Sequence, residues 1–148
     1  MGPVLVIMFV VLVALIFVSR WCWPLPPQVG TLKTPALLIK GEATVFTVGT
    51  FNIHRARGLD GRKDLARVAQ VVGACDVTGL QEVEGVTLFH RQSQAERLAQ
   101  QLQCEAHFSP TRLRAFFPER GNALLSQWSI TAWHRQPLVR ARLRGKGY

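Results

Sequence analysis

Two oxygen-bearing side chains stand at the ends of two short runs in the middle of the chain. Asn52 falls near the end of residues 44–53, and Glu82 falls near the end of residues 76–83. An Asn after a strand is by itself most often a turn former, but a carboxylate at a neighbouring strand end completes a pair of oxygen ligands. A hard cation such as Mg²⁺ binds through a few oxygens and keeps several waters. We therefore expect chemistry that depends on a divalent cation.

The elements that would position this pair are two strands and the helix between them. Residues 44–53 are rich in Val, Phe and Thr, which favours a strand, and residues 76–83 predict a second strand. The helix is indicated by apolar residues at i, i+3, i+4 and i+7, namely Leu65, Val68, Ala69 and Val72. Asp60 is the expected N-cap. Strands joined by so short a crossover are usually parallel, which brings Asn52 and Glu82 to the same sheet edge.

Further side chains near this edge have competing interpretations. Alternation along the second strand places Glu82 on one face with Thr78 and Leu80, and Glu84, just past the strand, is expected to be a surface charge. His54 either contacts a substrate phosphate or is a hydrogen-bonded structural histidine. It is followed by a loop, residues 55–63, that contains four basic side chains.

The same stretch resembles the endonuclease/exonuclease/phosphatase family. The resemblance lies in TFNIH at 50–54, GLDGRKDLARVA at 58–69, LQEV at 80–83 and GNALLS at 121–126. It implies an α/β fold, the N-terminal half of an α/β/β/α sandwich of two sheets flanked by helices. It also implies hydrolysis of phosphodiester or phosphomonoester bonds with Mg²⁺ or another divalent cation such as Mn²⁺. By resemblance, Glu82 and Asn52 are metal ligands, and Asn122 is a contact of the substrate phosphate, a role that His54 would share.

Two later motifs of that family are missing from the sequence. Neither Asp-x-Asn nor Asp-His occurs after the second strand, and no aspartate follows Asp76. We therefore expect a truncated domain without its general base and catalytic histidine. Because a general base typically contributes about 10²- to 10⁴-fold to a rate, the chain as it stands is expected not to hydrolyse phosphate esters at a useful rate.

The N-terminus predicts a single membrane-spanning helix at residues 1–20. Residues 2–19 carry no charge, and at about 1.5 Å per residue they give roughly 27 Å of helix, just short of a hydrocarbon core of about 30 Å. Arg20, Trp21 and Trp23 suit the membrane interface. A cleaved signal peptide is the competing interpretation, but no Lys or Arg precedes the apolar run.

Two further segments complete the expected organisation. Residues 21–42 contain four of the eight prolines and predict a stiff, extended linker, and residues 43–148 are expected to form the partial domain. Lys33 and Lys40 follow the apolar run without an intervening acid, so the positive-inside rule places the soluble part in the cytoplasm.

Past the second strand, the pattern is one of short elements. It predicts a helix at 93–102, a strand at 104–108, a loop at 109–120 and a hairpin formed by 122–126 and 130–133. The tail, residues 136–148, alternates like a strand without its neighbour, so we expect aggregation or a complementing chain at this C-terminal edge. The three cysteines lack CxxC spacing and indicate no zinc site.

The charge balance narrows the class of partner. A formal net charge of +9 and a pI near 10.8 favour anions such as nucleic acid, phosphorylated substrates or acidic lipids. A basic surface without a specific partner fits equally well. The alternative to a phosphoesterase is therefore a membrane-tethered basic module that binds nucleic acid or acidic lipid without catalysis.

Overall fold

The computed structural model describes residues 2–20, 22–32, 45–87, 90–114 and 118–136. Its elements are α1 (Gly2–Arg20), β1 (Cys22–Pro24), β2 (Gln28–Thr31), β3 (Val48–Asn52), a 3₁₀ turn (His54–Ala56), α2 (Leu65–Val72), β4 (Val77–Glu84), α3 (Gln94–Leu102), β5 (Glu105–Arg114), β6 (Arg120–Ser126) and β7 (Ala132–Arg135). The tail predicted to be strand-like, residues 136–148, lies outside the described residues except for residue 136.

These strands form two sheets. The first contains five strands in the order β1-β5-β6-β4-β3, and the second pairs β2 with β7. β3 and β4 are parallel, as the short crossover through α2 predicts, and the other described pairs are antiparallel. The expected mixed α/β fold with two sheets is therefore confirmed.

The core lies between the first sheet and the helices α2 and α3. Leu80 and Val83 of β4 and Leu98 of α3 are fully buried, and burial of such side chains is worth about 1.5–3 kcal/mol each. The helices add Val68, Ala69, Val72, Ala95 and Ala99. The apolar stripes that predicted both helices thus face this sheet and hold β4 in place.

The opposite face of the first sheet contacts the second sheet. The indole ring of Trp133 on β7 stacks on the His107 ring of β5, with centroids 4.5 Å apart. Gly30 on β2 permits this approach, because a Cβ there would lie 2.6 Å from the Trp133 ring. Burial in this contact, helped by the charge of Arg135, lowers the pKa of His107 below its usual 6.5.

β3 is an edge strand of the first sheet. The Val48 side chain is 67% exposed and Phe51 is 37% exposed. Phe46, just before the strand, is also exposed and meets the Trp128 ring edge-on at 5.8 Å. The parallel strand that carries Asn52 therefore has an apolar outer edge without a partner strand among the described residues.

The apolar N-terminal run is a helix, α1, with all of its described side chains exposed. Within the described part of the chain, however, no helix is both long enough and apolar enough to cross a membrane. The transmembrane prediction is therefore not supported.

The segment interpreted as a linker contains two strands. β1 pairs with β5, and β2 pairs with β7. Pro24 ends β1, which is the outermost strand of its sheet, and an edge is where a strand tolerates a residue without an N–H group. The described part of the predicted linker, residues 22–32, is thus paired with the domain, and residues 33–42 lie outside the described residues.

Two downstream predictions are wrong in pairing or extent. β5 continues to Arg114, so residues 109–114 are strand rather than loop. β7 pairs with β2 instead of forming a hairpin with β6. The chain does bend at residues 127–128. The strand that pairs with β7, however, lies about a hundred residues earlier in the chain, so a local sequence pattern could not reveal this pairing.

Both helices begin at a capped residue. In α2 the cap is Asp64 rather than Asp60, because the Asp64 Oδ1 accepts hydrogen bonds from the N–H groups of Ala66 (2.8 Å) and Arg67 (3.3 Å). The helix thus begins one turn later than predicted. In α3 Ser93 forms a capping box with the side chain three residues on.

Candidate active site

Glu82 reaches solvent because β4 contains a bulge. Leu80 pairs with Ala123 and Val83 pairs with Gly121, so the two residues between Leu80 and Val83 stand opposite one residue of β6. Leu80 and Val83 are both fully buried, while the Glu82 side chain is 45% exposed. The predicted alternation, which places Glu82 on the same face as Leu80, is therefore wrong.

The bulge also requires an unusual backbone. Glu82 has a φ of 55°, in the left-handed region that non-glycine residues occupy at a cost of about 1–2 kcal/mol. Asn122 is the residue opposite the bulge, and it is exposed. Strain of this kind persists only where the surroundings fix it, and it concentrates at functional sites.

Asn52 and Glu82 meet at the sheet edge, as the parallel pairing predicts. The Asn52 Nδ2 group donates to Glu82 Oε1 at 3.3 Å, and Asn52 Oδ1 accepts from the His54 backbone N–H at 3.0 Å. Because a backbone N–H can only donate, the amide oxygen must face His54 and the amide nitrogen must face Glu82. Asn52 thus holds both the carboxylate and the following turn.

The turn after β3 is left-handed. His54, Arg55 and Ala56 have φ values of 46°, 62° and 60°. Backbone bonds close the turn on both sides, from Ala56 N–H to the Ile53 carbonyl (2.7 Å) and from Arg57 N–H to the His54 carbonyl (3.2 Å). With three consecutive residues in this conformation, the turn places the His54 side chain beside Glu82.

The His54 ring lies against the same carboxylate. Its Nδ1 atom is 3.3 Å from Glu82 Oε2, and its side chain is 66% exposed. The Glu82 carboxylate is therefore approached on one oxygen by Asn52 and on the other by His54. Carboxylate, imidazole and amide form one solvent-facing cluster at the end of β3 and β4.

A buried residue that sequence reasoning missed supports this cluster. Gln94, the first residue of α3, is 6% exposed. Its Oε1 accepts from Glu84 N–H at 3.0 Å, and its Nε2 donates to the Arg55 carbonyl at 2.9 Å. The available sequence signal was its position one residue before Ala95, where the apolar stripe of the helix begins.

The basic loop after the turn is a short hairpin. Arg57 and Lys63 form an antiparallel bridge. Lys63 makes an ion pair with Glu84, whose side chain is 15% exposed, so Glu84 is a paired, largely buried acid rather than the expected surface charge. Arg57 and Arg62 are exposed and have no side-chain partner among the described residues.

Asp60 fixes the tip of this hairpin. It accepts a hydrogen bond from the Arg62 N–H at 3.0 Å and two from the Arg67 guanidinium. The backbone N–H of Arg62, followed by the Arg67 guanidinium, lowers the pKa of Asp60 below its usual 3.8. In return, Asp60 raises the pKa of Arg67. Arg57 and Arg62 are thus exposed on an ordered hairpin that follows the turn carrying His54.

A match to a family model over more than half of the chain decides the family. The family model described as Endonuclease/Exonuclease/phosphatase family matches residues 49–145 of the 148 residues. The chain belongs to this family. This is a family of the phosphoesterase and nuclease type, and the cluster around Glu82 lies within the matched residues.

Two solved structures are similar to this endonuclease/exonuclease/phosphatase chain. One is an endonuclease/exonuclease/phosphatase family protein from Leptotrichia buccalis C-1013-b, with 19% identity, a TM-score of 0.47 and coverage of 59% of this chain and 40% of that one. The other is the endonuclease/exonuclease/phosphatase from Beutenbergia cavernae DSM 12333, with 26% identity, a TM-score of 0.43 and coverage of 55% and 26%. The chain thus spans less than half the length of either. A search of curated proteins found no match.

The cluster fits a divalent cation through one carboxylate. No group of three His, Cys, Asp or Glu side chains that could hold a metal occurs in the described ranges. Mg²⁺, however, is usually held by one or two carboxylates together with waters and substrate phosphates. Glu82 is half exposed, and each of its oxygens has a lone pair beyond its one neighbour. Asn52 Oδ1 has one lone pair left after His54.

Proposed function

We propose that this chain provides the carboxylate side of a divalent-cation-dependent phosphoesterase site. The observation that carries the proposal is the cluster of Asn52, His54 and Glu82, held at one sheet edge by a bulge and a left-handed turn. Glu82 is the proposed ligand of Mg²⁺ or Mn²⁺. Asn52 orients this carboxylate and is a second candidate ligand.

The surrounding side chains suit an anionic substrate. A bound cation would supply charge stabilisation at a phosphoryl oxygen. His54 is exposed beside Glu82, so it can contact a phosphate, and Arg57 and Arg62 provide exposed positive charge on the hairpin that follows it in the chain. Asn122, opposite the bulge, is a candidate phosphate contact from a third strand.

We also propose that the chain by itself hydrolyses phosphate esters slowly. The sequence contains no aspartate after Asp76, so the later Asp-x-Asn and Asp-His motifs that the family resemblance leads us to expect are not present in it. Loss of a general base costs about 10²- to 10⁴-fold in rate. Turnover of a generic phosphodiester or of plasmid DNA well above buffer with Mg²⁺, abolished in Glu82→Ala, would overturn this part.

Calorimetric titration with Mg²⁺ tests the metal proposal independently of turnover. Glu82→Ala is expected to remove the binding signal of the wild-type chain, because it deletes the only carboxylate of the cluster. Glu96→Gln is the matched control, since it removes an exposed carboxylate while its amide can still complete the capping box of α3. Equal signals for wild type and Glu82→Ala would show that Glu82 is not the ligand.

A second candidate function is binding of nucleic acid or acidic lipid without catalysis. It is favoured by Arg57 and Arg62, which are exposed and unpaired within the described ranges. Purely electrostatic binding to DNA weakens steeply with salt and needs no Mg²⁺. Binding that is unaffected by EDTA and by Glu82→Ala would favour this alternative over the phosphoesterase.

A further inference from the structure

Gln94 joins the two halves of the site from a third element. The site is built from the turn after β3 and the bulged end of β4, whereas Gln94 begins α3. Its side-chain oxygen accepts from the Glu84 N–H at 3.0 Å and its nitrogen donates to the Arg55 carbonyl at 2.9 Å. A backbone donor on one side and a backbone acceptor on the other permit only one orientation of the amide.

The left-handed turn depends on this contact for one of its carbonyls. Backbone N–H groups satisfy the carbonyls of Ile53, His54 and Ala56, the last through Asp64. No backbone N–H of the described residues bonds the Arg55 carbonyl, whose donor is the Gln94 side chain. Because Arg55 also has a positive φ of 62°, the turn needs external contacts to stay in this conformation.

We propose that Gln94 is a positioning residue that sets the placement of His54 relative to Glu82. One end of its amide fixes the turn that carries His54, and the other fixes the backbone two residues after Glu82. The His54 ring and the Glu82 carboxylate are 3.3 Å apart, so a shift of the turn would change the contact between them. The consequence for cation affinity rests on the proposed function, but the placement of His54 does not.

The competing interpretation is that Gln94 only stabilises the start of α3. Ser93 provides the control for this, since its side chain caps the same helix and makes its hydrogen bonds within the described residues to Glu96, not to β4 or the turn. Ser93→Ala therefore weakens the same helix start while leaving the Gln94 bridge in place. Gln94→Met removes both bridging bonds at similar side-chain volume.

The experiment uses the full chain in these two variants and the wild type. Mn²⁺ affinity is measured by electron paramagnetic resonance, and the ring signals of His54 are followed by NMR without metal. We expect Gln94→Met to weaken Mn²⁺ binding about 10-fold, which is the usual effect of losing a residue that orients a ligand, and to shift the His54 ring signals. Ser93→Ala should change Mn²⁺ affinity less than 2-fold and leave those signals in place.

Equal effects of the two variants, or no effect of Gln94→Met, would overturn the inference. If the wild type binds no Mn²⁺, the proposed metal site fails, and the His54 signals alone decide the role of Gln94. If Gln94→Met does not fold, Gln94→Glu takes its place, because it keeps the acceptor for Glu84 N–H but cannot donate to the Arg55 carbonyl. The same criteria then apply to that variant.

Discussion

At the scale of single residues, the site depends on hydrogen bonds whose direction is fixed by the backbone. Asn52 was predicted from sequence as a metal ligand, and the structure adds that its amide group donates to Glu82 while its oxygen faces His54. A carboxylate at position 52 could satisfy His54 but would repel Glu82. The amide is therefore the side chain that allows the carboxylate to stand at this edge without a cation.

Asn52→Asp tests this arrangement. Two carboxylates at about the present separation repel by about 1 kcal/mol in a water-like environment, so we expect the free energy of unfolding to fall by about that amount without divalent cations. Mg²⁺ should reduce the loss by binding between the carboxylates. Urea unfolding with and without Mg²⁺ measures both effects, and Gln70→Glu on α2 is the control, because it also converts an exposed amide into a carboxylate but in another element. A loss that Mg²⁺ leaves unchanged would contradict the arrangement.

His107 gives the fold a dependence on pH. Its pKa is lowered in the folded chain, first by burial and then by Arg135, so the unfolded chain binds the proton more tightly. The stability that results is present above pH 6.5 and is lost as the pH falls below that value toward the lowered pKa. Asp60, whose pKa lies below 3.8, changes the pH dependence of stability only at lower pH.

We therefore expect the wild type to lose more thermal stability between pH 7.5 and pH 5 than His107→Phe does. The phenylalanine ring can still stack on Trp133 but cannot take up a proton. Thermal unfolding of both chains at the two pH values measures the difference. The same loss in both chains would exclude His107 as the cause.

At the scale of elements, regular periodicity was informative and irregular backbone was not. The i, i+3, i+4 pattern predicted α2 and α3 and the faces they bury, because burial against a sheet requires that spacing. The bulge in β4 leaves no such signature in the sequence. It is visible only in the structure, where Glu82 has a positive φ and Leu80 and Val83 are both buried. The site residues could therefore be named from the sequence, whereas the face of Glu82 could not.

The bulge makes a prediction about stability and function. Glycine adopts a positive φ without strain, so Glu82→Gly should be more stable than Glu82→Ala by up to about 1 kcal/mol. Both variants lack the carboxylate and should lose Mg²⁺ binding. Urea midpoints of the two variants measure the difference. If alanine is as stable as glycine at this position, the strained backbone of Glu82 is not a feature of the folded chain.

At the scale of the whole molecule, the sheet order was beyond the reach of local patterns. β1 and β2 lie next to strands about a hundred residues later in the chain, and such pairing is decided by packing that is formed only in the folded state. Trp133 on His107 is an example, because neither residue carries a local signal for the other. The parallel pair β3 and β4 was predictable because its crossover is short.

Within the described part of the chain, the same topology leaves β3 as an apolar edge, with Val48 67% exposed. Unpaired edges of this kind pair with other chains unless a charge blocks them, so we expect association that grows with protein concentration. Val48→Lys should reduce it. Val71→Lys on α2, where the valine is 58% exposed, is the matched control and should have little effect.

Sedimentation velocity of the full chain in a mild detergent, which covers the exposed apolar side chains of α1, measures this association. The weight-average sedimentation coefficient should rise with concentration in the wild type and in Val71→Lys but stay near the monomer value in Val48→Lys. A lysine at position 48 blocks pairing because it would bring a charge against the incoming strand, whereas position 71 is an exposed site on a helix. Equal association of all three chains would place the contact elsewhere and leave the edge of β3 unpaired in solution.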